Sequence, residues 1–174
     1  RKTYTEGVPI NVKDITVDYL KKRYLAARNK LQNRIINKKL KAGDVAGEGE
    51  RPVVIMLGGG GAAGKTGTLN QLRASGVLPE HKYVVVNPDD IKVELPEFKK
   101  IEEAGDWRGA KQTHEESSDV ARALQNKAMG ERRHIIIDRT MGNGEKSVTD
   151  MRIFKENGYD IHLSTEFRLG FYRQ

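Results

Sequence analysis

The spacing of apolar residues changes once along the chain. Leu20, Tyr24, Ala27, Leu31, Ile35 and Leu40 recur at intervals of three to five, the repeat of an amphipathic helix. Thr16 can cap its N-terminus and Asp18 falls in its first turn. The pattern predicts one long helix over residues 16–41, with Lys21, Lys22, Arg28, Lys30, Arg34, Lys38 and Lys39 on the rest of its surface. Gly43, Gly47 and Gly49 then read as a flexible link to Pro52.

Beyond Pro52 short apolar runs alternate with helical periods. Val53 to Leu57 is unbroken and apolar, as a parallel strand buried on both faces requires. A glycine loop and a helix to about Ser75 follow. Tyr83 to Val86 predicts a second strand, ending at Asn87-Pro88-Asp89-Asp90. Thr113 and Glu116 have the spacing of a capping box for a helix that ends near Gly130. His134 to Ile137 reads as a third strand ending at Asp138, Glu145 to Asn157 as a helix stopped by Gly158, and Asp160 to Thr165 as a fourth strand. Residues 91–110 carry no clear period. The alternation implies an α/β fold with a parallel sheet and helices on both faces, preceded by an N-terminal helical arm. The expected division is an arm and linker over 1–51 and a nucleotide-binding domain over 52–174.

Charge follows the same division. Residues 1–51 hold thirteen Lys and Arg against six Asp and Glu, while residues 52–174 hold eighteen of each. The whole-chain charge of +7 is thus a property of the arm. A solvated helix face explains it more simply than nucleic-acid binding does. The chain has no cysteine, which excludes disulfides, thiolate metal sites and cysteine nucleophiles. No apolar run reaches the roughly 20 residues that span a bilayer, and the first residues lack the apolar centre of a signal peptide. These points lead us to expect a cytoplasmic protein.

The chemistry centres on Gly59-Gly60-Gly61-Ala62-Ala63-Gly64-Lys65-Thr66, a Walker A pattern between a predicted strand and helix. Such a loop turns its backbone N–H groups onto a phosphate chain, at the positive end of the next helix. Gly59 to Thr66 and the following Gly67 are the expected ATP cradle. Lys65 reaches the β and γ phosphates, and the Thr66 hydroxyl suits Mg²⁺. Neither Asn37-Lys38 nor Asn126-Lys127 continues into a guanine-specificity motif, which disfavours a GTPase. A short chain with one such loop points to a kinase for a small acceptor.

Ligands of open α/β sheets sit beyond the carboxyl ends of the strands, where Asp89, Asp90 and Asp138 fall. A kinase needs a carboxylate there to take the acceptor's proton and to hold Mg²⁺ or its waters. Asp89 is the expected base and metal ligand. The alternative is that Asn87-Pro88-Asp89-Asp90 is only a turn and cap. Asp138 stands where a Walker B aspartate would, or orients an acceptor. Glu115 is a candidate acceptor contact, Glu116 reads as a capping residue, and Trp107 reads as packing.

These segments resemble the zeta toxin family of P-loop kinases from about Pro52 to Thr165. The resemblance rests on Gly59 to Thr66, on Val84-Val85-Val86-Asn87-Pro88-Asp89-Asp90-Ile91-Lys92, on His114-Glu115-Glu116-Ser117-Ser118, and on Ile135-Ile136-Ile137-Asp138-Arg139-Thr140. It implies Asp89 as proton acceptor and Asp138 with Thr140 as acceptor contacts. It also implies a charge-stabilising arginine from the segment after the fourth strand, here Arg168, with Arg173 beyond it. The implied acceptor is a sugar hydroxyl of UDP-N-acetylglucosamine, or NAD as in a related branch, and the implied partner is an antitoxin or inhibitor protein. A polynucleotide 5′-hydroxyl kinase and a non-catalytic nucleotide-binding module with an incomplete lid are the alternatives.

Overall fold

The computed structural model describes residues 11–57, 80–105, 107–138 and 144–163, with the backbone only at 144–146. Two compact units emerge. One combines Arg1–Lys41 with Val86–Lys127, and the other combines Ala42–Val85 with Ala128–Gln174.

The first unit is helical. A single 3-10 turn at Val12–Asp14 leads into α1 (Val17–Arg23), α2 (Ala26–Leu40), α3 (Pro88–Lys92), α4 (Pro96–Ala104) and most of α5 (Ala110–Gly130). Thr16 caps α1, its hydroxyl accepting from the Tyr19 N–H. The single helix expected over 16–41 is instead two. Tyr24 and Leu25 are extended, at ψ near 155°: 157° and 153°. The Tyr24 hydroxyl is 2.6 Å from Asp119 on α5, and Asn29 donates to the Leu20 carbonyl at the end of α1. A buried tertiary hydrogen bond therefore prevails over a local pattern that would run straight through. The break also restarts the helical register. Ala27, expected on the apolar stripe, is exposed, while Gln32, Ile35, Ile36 and Leu40 are buried.

The stretch without a clear period takes in the end of α3 and the whole of α4, and each helix has Pro at its start, where a missing N–H costs nothing. Ile91, Leu95 and Ile101 are buried in this stretch, as are Leu20, Ile36, Val120 and Leu124 on the other helices of this unit.

The second unit carries the sheet, ordered β2-β3-β1-β4, from β1 (Val53–Leu57), β2 (Val84–Val86), β3 (Ile135–Asp138) and β4 (Asp160–Leu163). Strand β1 pairs in parallel with both β3 and β4, and all five of its residues are buried. This is the α/β fold that the apolar runs imply. Helix α6 (Gly144–Glu156) ends at Gly158, whose φ of 80° suits glycine. Phe154 and Tyr159 meet edge to face at 5.1 Å, and the Tyr159 hydroxyl donates to the Arg133 carbonyl at 2.7 Å.

The expected flexible link at 43–51 is an ordered edge of this unit. The Asp44 N–H donates to the Lys82 carbonyl, the Ala46 N–H to the Arg132 carbonyl, and the His134 N–H to the Asp44 carbonyl. Gly43 is needed for close approach: a Cβ there would collide with the Tyr83 and Val84 backbone. Its glycine reports packing, and the turn-forming reading missed that.

Candidate active site

Asn87 follows β2 in an extended conformation, and its side-chain oxygen accepts from the Asp89 N–H at 2.9 Å. Pro88 follows as the first residue of α3, its φ already suited to a helix. The segment is therefore a turn and a cap, as its composition suggests. Asn87 makes that cap through its side chain, which leaves the Asp89 carboxylate outside it. The Asp89 side chain is 79% exposed. One helical turn later, the Lys92 ammonium lies 3.9 Å from Asp89 Oδ1 and 3.4 Å from His114 Nδ1 on α5.

Helix α5 does not start as its sequence suggests. It begins at Ala110, and the Thr113 hydroxyl donates back to the Gly109 carbonyl from within the helix. Glu116 is not a capping residue. Its carboxylate is buried against Arg28, at 2.7 Å from Nε and 2.6 Å from Nη2, and accepts from the Gln32 amide at 2.7 Å. Arg28 also takes both Glu97 oxygens, at 2.7 and 2.8 Å. The Glu116 bond, with Glu97 behind it, raises the Arg28 pKa despite burial. Burial pushes Glu97 up, but the Arg28 hydrogen bond, the backbone and the nearby cations together hold it below its ordinary range.

One turn on, Asp119 accepts from Tyr24 at 2.6 Å and from Arg23 at 2.9 Å. Burial, then that carboxylate, pushes the Tyr24 hydroxyl far above its ordinary value, so it stays a proton donor. Glu115 is half-buried, with its carboxylate 3.9 Å from Arg23. Trp107, expected to pack, is 74% exposed just ahead of α5.

In the second unit, Asp138 closes β3 in register with Leu57, the last residue of β1. Leu57 comes two residues before the Walker A glycines in the chain. A sequence model of the zeta toxin family matches residues 36–165, most of the chain. The chain belongs to the zeta toxin family.

Solved structures share the fold at low identity. A chain of the PezAT chromosomal toxin–antitoxin system of Streptococcus pneumoniae matches with a TM-score of 0.65 at 16% identity, over 88% of this chain. The AvrRxo1-ORF1:-ORF2 complex with ATP matches with a TM-score of 0.59 at 22% identity, and its native form with 0.55 at 21%, each over 84% of this chain. The chain spans 58% of the first of these and 48% of the other two. No curated protein matches it in sequence.

Asp89, Glu115 and Asp138 fall within the described residues. The expected cradle Gly59 to Gly67, with Lys65 and Thr66, lies outside them, as do Thr140, Arg168 and Arg173. Lys92 and His114 were within the resembling segments but carried no expected role. The Asp89–Lys92 spacing of three is a helical-neighbour signal that becomes readable once α3 is known.

A second polar cluster joins Glu50, His81 and His134 in the sheet unit, the one such grouping with metal-ligand types among the described residues. Its chemistry does not suit a cation. The Val53 N–H donates to His134 Nδ1 at 3.0 Å, so in the neutral ring Nε2 carries the proton. That Nε2–H is turned to Glu50 Oε1 at 2.9 Å. The two imidazoles lie stacked at 3.7 Å and 6°, so their in-plane lone pairs lie in separate, nearly parallel planes and do not converge on one ion. No described helix is long and apolar enough to cross a membrane.

Proposed function

We propose that the chain is an ATP-dependent kinase that phosphorylates a sugar hydroxyl of a nucleotide-linked acceptor, UDP-N-acetylglucosamine first and NAD second. The observation that carries this reading is the Asp89 carboxylate, exposed in the first turn of α3 just after β2 and left open by the Asn87 cap. Membership of the zeta toxin family supports it, and one structure of similar fold is a complex with ATP.

In this reading Gly59 to Gly67 wrap the triphosphate and Lys65 neutralises its β and γ phosphates. Thr66 and Asp89 offer the hard oxygen donors that Mg²⁺ prefers, and the ion would offset phosphate charge when bound. Asp89 accepts the proton of the acceptor hydroxyl. The freed oxygen forms its bond to the γ-phosphorus as the bond from that phosphorus to the bridging oxygen breaks, and ADP leaves with the electron pair. Arg168 stabilises the charge on the transferring group. Asp138, Thr140 and Glu115 hold the acceptor. Such a kinase acts as a toxin, restrained by an antitoxin or inhibitor protein.

The test is transfer from labelled ATP to each acceptor by the wild type and by Asp89→Asn. Transfer to one acceptor, lost in the variant, supports the reading. Equal rates for both proteins reject Asp89 as the base.

A further inference from the structure

We propose that Lys92, whose ammonium also meets His114, is a positioning residue that aims the Asp89 carboxylate at the acceptor hydroxyl. This rests on the reading of Asp89 as the proton acceptor.

An Asp and a Lys three apart on a helix are ordinary neighbours, and such exposed pairs contribute little. Two features set this pair apart. The Lys92 side chain is 22% exposed although Asp89 beside it is 79% exposed, so most of the lysine side chain is covered. Its ammonium also meets His114 Nδ1 from a different helix, 22 residues along the chain. An ammonium has only donors, so Nδ1 must accept. Among the described residues these are the two polar groups that face the ammonium.

The distances suit orientation better than neutralisation. At 3.9 Å the ammonium attracts Asp89 Oδ1 without occupying a lone pair at hydrogen-bonding range. Both carboxylate oxygens stay open to the acceptor hydroxyl. A lysine anchored only by α3 would swing on four carbons, and the carboxylate would follow it. The His114 contact at 3.4 Å gives the ammonium a second anchor that limits that freedom. A base misplaced by about 1 Å can cost on the order of 10²-fold in rate, so the anchoring has a catalytic consequence.

The experiment uses the whole chain with ATP and UDP-N-acetylglucosamine, and NAD in a parallel arm. Lys92→Met should lower kcat by about 10- to 100-fold. The ATP Kd from calorimetry should stay within about twofold, since only an orientation is lost. Lys92→Arg should restore most of the rate, and His114→Ala should reproduce a smaller part of the loss. In an Asp89→Asn background Lys92→Met should add nothing, because the group it positions is gone. The ¹⁵N shift of His114 Nδ1 should move in Lys92→Met, independently of any acceptor.

Wild-type kcat in Lys92→Met, with Asp89→Asn inactive, would overturn the positioning role and leave the base intact. A full additional loss in the Asp89→Asn background would overturn it too. An unmoved His114 Nδ1 shift would overturn the anchoring contact itself. An active Asp89→Asn would instead reject the base, and with it the reason for positioning it.

Discussion

Arg28 grips Glu116 with two nitrogens, Nε at 2.7 Å and Nη2 at 2.6 Å, and so ties α2 to α5. The Glu116 side chain is only 7% exposed, and Arg28 is 19% exposed. Removing one partner of such a pair leaves the other charge buried without compensation. Arg28→Ala should cost about 2–4 kcal/mol, read as a lower midpoint in urea unfolding. Glu97→Gln should cost no more than about 1 kcal/mol, because that carboxylate is half exposed and screened. Equal, small losses in both variants would mean that the clamp contributes little.

Some of this was legible in the sequence. Val53 to Leu57 has five apolar residues in a row, and that run is β1 itself, since a strand buried on both faces leaves no room for alternation. The helix stop at Gly158 was readable for a similar reason: its conformation favours glycine. The break at Tyr24 was not. Its cause is Asp119, 95 residues away, and the local spacing runs through it unchanged. Thr113 and Glu116 fit the capping pattern by composition, yet Glu116 is bound by a residue 88 positions earlier. The exposed placement of Asp89 follows from the Asn-Pro-Asp-Asp turn, whereas its link through Lys92 to His114 depends on two helices meeting. Pairings distant in sequence have no local signature.

His134 should make stability depend on pH. Burial, then the neighbouring His81, lowers its pKa below the usual imidazole value, against the pull of Glu50. The neutral ring also accepts the Val53 N–H, and a proton on Nδ1 would break that bond. The unfolded chain protonates this histidine near pH 6.5 and the folded chain only below that. The unfolded state therefore binds more protons in the window between them. The contribution is complete above about pH 6.5 and is lost as pH falls towards the lowered folded pKa. Urea midpoints at pH 7.5, 6.5 and 5.5 should fall for the wild type and vary less for His134→Gln. Parallel curves would exclude His134 as the titrating group.

Gly43→Ala should destabilise the sheet unit. Its Cβ would meet the Tyr83 and Val84 backbone, which cannot rotate away as a flexible side chain could. Overpacking of this kind costs about 1–3 kcal/mol. Thermal melting would detect the loss, and an unchanged melting temperature would show that the segment 42–46 can move aside.

Lys65→Ala tests nucleotide binding apart from chemistry. The lysine of a Walker A loop neutralises the β and γ phosphates, so its removal should weaken ATP binding by at least about tenfold. Calorimetry on both proteins gives the comparison. Equal affinities would mean that Gly59 to Thr66 is not the phosphate cradle.

Phosphate transfer by Asp89→Asn tests the proposed chemistry most directly. Asparagine keeps the size of the side chain and its hydrogen bonding but cannot take a proton from the acceptor hydroxyl. With labelled ATP and UDP-N-acetylglucosamine or NAD, the variant should bind ATP as the wild type does. It should transfer phosphate slower by roughly 10²-fold or more, the usual contribution of a general base. Transfer at the wild-type rate would contradict the assignment of Asp89 and, with it, the proposed mechanism.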